Sequence, residues 1–190
     1  MRIITGSARG VRLDTLAGES TRPTSERAKE AIFSMLQFGL EGRRVLDLFA
    51  GSGQMALEAL SRGAASAILV DAGKPALDVI KRNAQRTKLE SKARLVCSDA
   101  LRFLSTCREQ PFHLIFLDPP YAARLIPQSL KLLLERALLA PGAIVVCESA
   151  APEDVWGEEN ALKDSFEVMK ATKYGVAYVT ILTPKKEIFA

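Results

Sequence analysis

The feature that most constrains this chain is a rhythm that begins at residue 43. From there to residue 149, short β-rich apolar runs alternate with segments of helical period. "RVLDLFA" (44–50) passes through "GSG" into "QMALEALSRG" (54–63), whose apolar positions recur at helical spacing. That helix runs out at Gly63, a residue suited to the left-handed position after a helix. "SAILVD" (66–71) precedes "KPALDVIKRNAQRTKLE" (74–90), with Pro75 in the first turn, where its missing N–H costs nothing. "ARLVCSD" (93–99), "HLIFLD" (113–118) and "AIVVCES" (143–149) are three further strands, and "PQSLKLLLERALL" (127–139) predicts a helix closed by "APG". Strands joined through helices run parallel, so the expectation is an α/β fold with helices on both faces of a mostly parallel sheet.

The two ends depart from this rhythm. "FEVMKATKYG" and "VAYVTILT" are two strands with little between them, which predicts an antiparallel pair closing one sheet edge. "MRIITGSARGVRLDTL" has no helical period, and Gly6 and Gly10 suit a small β-hairpin. "TRPTSERAKEAIFSML" (21–36) reads as a helix that starts after Pro23, with Thr24 or Ser25 as its N-cap. A chain of 190 residues is one domain. We read residues 1–40 as an N-terminal hairpin and helix extension and residues 41–190 as a catalytic α/β core.

Acids gather where the strands end. In "DLFAGSG", Gly51 and Gly53 allow a close approach of backbone to ligand, and the helix that follows favours electron-rich groups at its N-terminus. Gly51, Gly53 and Ala56 also satisfy a relaxed dinucleotide-binding pattern. Asp71 ends the second strand, where a carboxylate can accept both ribose hydroxyls of a nucleoside. Asp99 follows the third, placed either to accept from an adenine amine or to cap "ALRFLSTC".

The fourth strand ends in Asp118-Pro119-Pro120-Tyr121. Prolines continue neither a ladder nor a helix interior, so the backbone stiffens where an acid and a ring are presented. That arrangement suits chemistry on the exocyclic amine of a base, whose lone pair is delocalised into the ring. A carboxylate and a rigid backbone carbonyl can hold its two protons and aim the lone pair, while Tyr121 stacks on the base.

"DLFAGSG", "VD" and "DPPY" resemble motifs of class I S-adenosylmethionine-dependent methyltransferases acting on base amino groups. With "MRIITGSARGVRLDTL", "TRPTSERAKEAIFSML" and "DLFAGSGQMALEALSRGA", essentially the whole chain resembles the bacterial 16S ribosomal RNA guanine-N2 methyltransferases of the RsmD type. "VDAGK" stands where that family commonly has a glutamate and a further acid, and "QM" replaces the usual small residues after the glycine loop. The resemblance implies a Rossmann-like, seven-stranded sheet of order 3-2-1-4-5-7-6. It implies S-adenosylmethionine as methyl donor, lined by Asp47, Phe49, Gly51, Gly53, Asp71, Asp99 and Ala100. It implies Asp118, Pro119, Pro120 and Tyr121 as the catalytic group, Arg22, Pro23 and Thr24 toward the pocket and RNA, and no metal.

The net charge of +4 is unevenly spread. Arg2, Arg9, Arg12 and Arg22 mark the head as the expected contact for RNA phosphates. A second basic run spans Lys81 to Arg108, with eight basic residues against two acids, part of it on a solvated helix face. The partner implied is 16S rRNA or an assembling small subunit. Without a signal peptide or a membrane-length apolar run, the expected compartment is the cytoplasm. Cys97, Cys107 and Cys147 have no metal-ligand spacing, and strand-like runs around Cys97 and Cys147 predict buried thiols. The alternatives are a DNA or RNA adenine-N6 methyltransferase, a nicotinamide-dependent oxidoreductase and a non-catalytic rRNA-binding assembly factor. A DNA enzyme needs additional surface to read base edges, and an oxidoreductase leaves "DPPY" without a purpose.

Overall fold

The computed structural model describes residues 1–16, 23–36, 39–157 and 160–189, excluding the side chains of residues 23–26, 122 and 160. It contains a seven-stranded sheet of order β3-β2-β1-β4-β5-β7-β6, as the resemblance implied. The chain divides into two compact units, Met1–Asp99 and Ala100–Ala190.

The first unit holds α1 (Pro23–Leu36), β1 (Arg44–Asp47), α2 (Gln54–Ser61), β2 (Ser66–Asp71), α3 (Lys74–Thr87) and β3 (Ala93–Cys97). The three strands are parallel, with Leu46 opposite Ile68 and Leu69 opposite Leu95. Ala67 to Val70 of β2 are all buried, the continuous apolar run of a strand covered on both faces. β1 stops at Asp47 rather than Ala50, because the chain leaves the ladder there to form the glycine loop. Gly63 takes φ +105° after α2, and Gly63 N and Ala64 N donate to Leu60 O and Ala59 O, closing the helix as a Schellman motif. Cys97 is exposed, contrary to expectation, since β3 is the edge strand of the sheet; Cys107 and Cys147 are buried.

The head is a hairpin only in outline. Its single bridge pairs Arg2 with Arg12, and Ile3 N donates to Val11 O at 3.0 Å. What holds it is α2. The Glu58 carboxylate, 0% exposed, accepts from Ile4 N (2.8 Å) and Thr5 N (3.0 Å), from Arg62 Nε (2.8 Å), and lies 3.6 Å from Lys29 Nζ of α1. Lys29, itself buried, donates to Arg2 O at 2.7 Å. Ser61 adds its carbonyl and hydroxyl to Ser7 N and Ala8 N. Gly6 is a glycine for this reason: a Cβ there would fall 1.8 Å from Ser61 O.

The second unit holds α4 (Ala100–Thr106), β4 (Phe112–Leu117), α5 (Leu125–Glu135), β5 (Leu139–Ser149), α6 (Asn160–Ser165), β6 (Phe166–Tyr174) and β7 (Ala177–Pro184). β4 and β5 are parallel, and β7 is antiparallel to both β5 and β6. α5 starts two residues before Pro127, which sits among the first-turn positions whose N–H groups have no helical partner. Its end also differs from expectation. Ala137, at φ +50°, closes α5, with Leu138 N donating to Leu133 O, while "APG" lies inside β5 beside a register shift, with Gly142 at φ +68°.

Candidate active site

Within the first unit, the carboxyl ends of the strands converge on the glycine loop. Gly51 and Gly53 take φ +51° and +77°. Packing around Gly53 is also tight, because a Cβ would lie 3.1 Å from Leu69 Cδ2 and 3.2 Å from Ile80 Cγ1. Asp47 is buried beneath the loop, and its Oδ2 accepts from Ala56 N at 3.3 Å, a carboxyl group under a helix N-terminus. Burial, with a smaller push from the Asp71 charge, raises its carboxyl to about 7 against the pull of the Ala56 N–H.

Asp71 is half-exposed, and both its oxygens already shape turns. Gly51 N donates to Oδ2 at 2.9 Å and Gly73 N to Oδ1 at 2.8 Å. A carboxylate has about four acceptor positions, so two such bonds leave capacity for ribose hydroxyls. Phe49 is half-buried, Asp99 is exposed immediately before α4, and Ala100 is the buried first residue of that helix. This donor set fits an adenosyl group: an open loop at a helix N-terminus, an acid with spare acceptor capacity at hydroxyl position, and a further acid at the next strand end.

The head reaches this loop through α3. Buried Asn83 of α3 donates to Ser52 O (2.9 Å) and Asp14 O (3.0 Å) and accepts from Asp14 N (2.8 Å). Arg86 donates to the Asp14 carboxylate at 2.7 Å and to Arg12 O at 3.2 Å, and holds that carboxyl below its usual range. Arg2, Arg9 and Arg12 are exposed, and Arg2 stands directly across from Arg12. Like charges directly opposed are unfavourable in a sheet, and a bound polyanion relieves that cost. Pro23 and Thr24 open α1, their side chains outside the description, and Arg22 lies outside the described residues.

Within the second unit, β4 delivers Asp118 exposed, Pro119 buried, Pro120 exposed and Tyr121 42% exposed. Tyr121 OH donates to Glu148 Oε1 at 3.1 Å. Leu117 pairs with Cys147, the last pair of the β4–β5 ladder, so Asp118 and Glu148 each come next on two adjacent parallel strands. A shallow open cleft lies here, lined by Pro119, Tyr121, Arg124, Glu148 and Asp154 among others. Burial raises the Glu148 carboxyl above its usual range, and the Tyr121 hydroxyl partly offsets this.

Four functional residues escaped the sequence reading, and three left a signal. Glu148 ends an apolar strand run on an acid, as Asp47, Asp71 and Asp118 do. Asn83 occupies an apolar-face position of α3, in series with buried Ala76, Ile80 and Thr87. Glu58 interrupts an otherwise apolar helix face. Lys29 had none, since a lysine among charged neighbours reads as solvated. Among the described residues no group of His, Cys, Asp and Glu side chains could hold a metal ion, and no helix is long and apolar enough to cross a membrane.

A family model described as conserved hypothetical protein 95 matches residues 1–183. The chain is 36% identical over 162 residues to the ribosomal RNA small subunit methyltransferase D of Haemophilus influenzae, covering 84% of each. It is 42% identical over 150 residues to YlbH of Bacillus subtilis, a candidate rRNA methyltransferase, covering 78% of this chain and 82% of that one. Of solved structures, yhhF from Escherichia coli, a candidate methyltransferase, matches with a TM-score of 0.83 at 30% identity over 97% of this chain and 98% of that one.

Proposed function

The chain belongs to the conserved hypothetical protein 95 family, the RsmD type, and from that premise we propose that it methylates the N2 amino group of a guanine in 16S ribosomal RNA. The observation that carries this reading is the end of β4, where a carboxylate and two prolines lead to an exposed ring at an open cleft. S-adenosylmethionine supplies a methyl group already activated by its sulfonium, so the chain's task is positioning and no metal is needed. Asp71 and Asp99 hold the adenosyl group over Gly51 and Gly53. Asp47 acts through the loop, anchoring the N-terminus of α2, Phe49 flanks the loop in sequence, and Ala100 starts the helix that follows Asp99. Asp118 accepts one proton of the target amine and the proline-fixed backbone carbonyl accepts the other, which aims the lone pair. Tyr121 stacks on a base drawn out of its RNA.

Residues 1–40 form an extension that presents Arg2, Arg9, Arg12 and Arg22 to phosphates, with Pro23 and Thr24 beside them, on a catalytic core of residues 41–190. The substrate is cytoplasmic 16S rRNA, free or in an assembling subunit. The direct test is methyl transfer from labelled S-adenosylmethionine to small-subunit RNA, followed by nucleoside mass spectrometry. N2-methylguanosine is expected; N6-methyladenosine as the product overturns the guanine assignment, and transfer of no methyl group overturns the whole.

The cofactor half makes its own prediction. Asp71→Ala lowers affinity for S-adenosylhomocysteine by about 1–3 kcal/mol in calorimetry, since it removes the hydroxyl acceptor and frees Gly51 N from its partner. Unchanged affinity sinks the assignment of Asp71.

The head makes another. Arg2→Ala with Arg12→Ala weakens RNA binding and flattens its logarithmic salt dependence by roughly one unit per lost contact. Cofactor affinity stays constant, because Lys29 and Arg86 bond the main-chain carbonyls of these residues and not their side chains. A salt slope identical to wild type places the RNA elsewhere.

A further inference from the structure

We propose that Glu148 selects guanine as the target base by accepting a hydrogen bond from its ring N1–H. This rests on the reading of the Asp118 motif as a site for base amines and names what decides which base enters.

The cleft beside Tyr121 holds two acids, and they are not equivalent. Asp154 is committed to its own turn, its Oδ2 accepting from Ala151 N at 2.9 Å. Glu148 accepts from Tyr121 OH through Oε1, which fixes the carboxylate against the ring expected to stack on the base. One such bond occupies a fraction of a carboxylate's acceptor capacity. The position of Glu148 suits the base edge. Adjacent strands lie about 4.8 Å apart, and Glu148 follows Cys147, the last β5 residue paired with β4, as Asp118 follows its partner Leu117. If Asp118 and the backbone carbonyl take the two protons of the exocyclic amine, the neighbouring acceptor faces the next atom of the base edge.

In guanine that atom is N1, which carries a proton. In adenine the ring nitrogen beside the amine carries a lone pair, which a carboxylate repels. A site built to receive a donor leaves its own buried polar group unpaired when the donor is missing, and discriminates strongly for that reason. The raised Glu148 carboxyl agrees, since a half-buried acid gains most from a new donor.

The test uses an RNA carrying the methylated guanine, once mapped, and the same RNA with 2-aminopurine at that position. 2-Aminopurine keeps the amine but has a lone pair at N1. Wild type is expected to lose about a hundredfold or more in kcat/KM on the 2-aminopurine RNA. Glu148→Gln and Glu148→Ala are expected to be slow on guanine and to shrink that ratio below about tenfold. Gln is nearly the same shape and can donate to the N1 lone pair, so it guards against an effect of misfolding. Tyr121→Phe is expected to keep the wild-type ratio. If the Glu148 variants slow both RNAs equally, so that the ratio is unchanged, Glu148 merely positions Tyr121 and the inference is wrong. If the wild-type enzyme methylates adenine amines instead, the guanine reading falls and this inference with it; an unchanged ratio on a methylated guanine removes this inference alone.

Discussion

Asp118→Ala is expected to lower methyl transfer by about two to four orders of magnitude while S-adenosylmethionine binds with nearly wild-type affinity. On the rate scale that is about 3–5 kcal/mol of lost transition-state stabilisation. The split follows from where the residue stands. Asp118 is exposed at the end of a strand whose residues Leu114 to Leu117 are buried, so its removal opens no cavity and leaves the core intact. The hydrogen bond it accepts from the amine gains strength as the nitrogen becomes tetrahedral, so the loss falls on kcat more than on KM. Single-turnover methylation and calorimetry with S-adenosylhomocysteine separate the two terms. Wild-type turnover in the variant removes Asp118 from the centre of the mechanism.

The largest effect on stability is expected at Glu58. Glu58→Ala leaves Lys29 charged and buried, and strips Ile4 N, Thr5 N and Arg62 of their acceptor. Breaking a buried pair from one side costs about 3–5 kcal/mol, a large part of an ordinary domain's stability. Glu58→Leu combined with Lys29→Met is expected to recover part of this, because the fully buried ammonium is removed along with its partner, while Arg62 still loses its acceptor. Denaturant unfolding measures both, and a loss below about 1 kcal/mol for Glu58→Ala contradicts the buried network.

The parallel half of the fold was legible because its signals are local. β2 was bounded to the residue at Ser66–Asp71, where a continuous apolar run meets an acid, and the closure of α2 at Gly63 was visible because glycine alone adopts φ near +105° without cost. The end of α5 was not visible for the complementary reason. Ala137 performs the same left-handed closure, and an alanine carries no such mark, so the helix was extended four residues too far. Cys97 was placed inside because its run is apolar, but edge position is a property of strand order and not of composition. At the candidate site, the motif residues were legible as types at strand ends. Their neighbours were not: Asn83 joins Asp14 to Ser52 across 69 and 31 residues of sequence, and no periodicity reports such a junction.

Many of the hydrogen bonds that fasten the head to the rest of its unit pass through the head's main chain. Glu58, Ser61, Lys29, Asn83 and Arg86 grip the amides of Ile4, Thr5, Ser7, Ala8 and Asp14 and the carbonyls of Arg2, Arg12 and Asp14, while the side chains of Arg2, Arg9 and Arg12 stay outside the grip. The socket is therefore encoded largely on α1, α2 and α3, and the plug contributes Gly6, the Asp14 carboxylate and the buried side chains of Ile3, Ala8 and Leu13. Such a joint lets the outward face be rewritten freely: the three arginines can be exchanged for another reading surface without redesigning the seat, a property that suits this head to grafting.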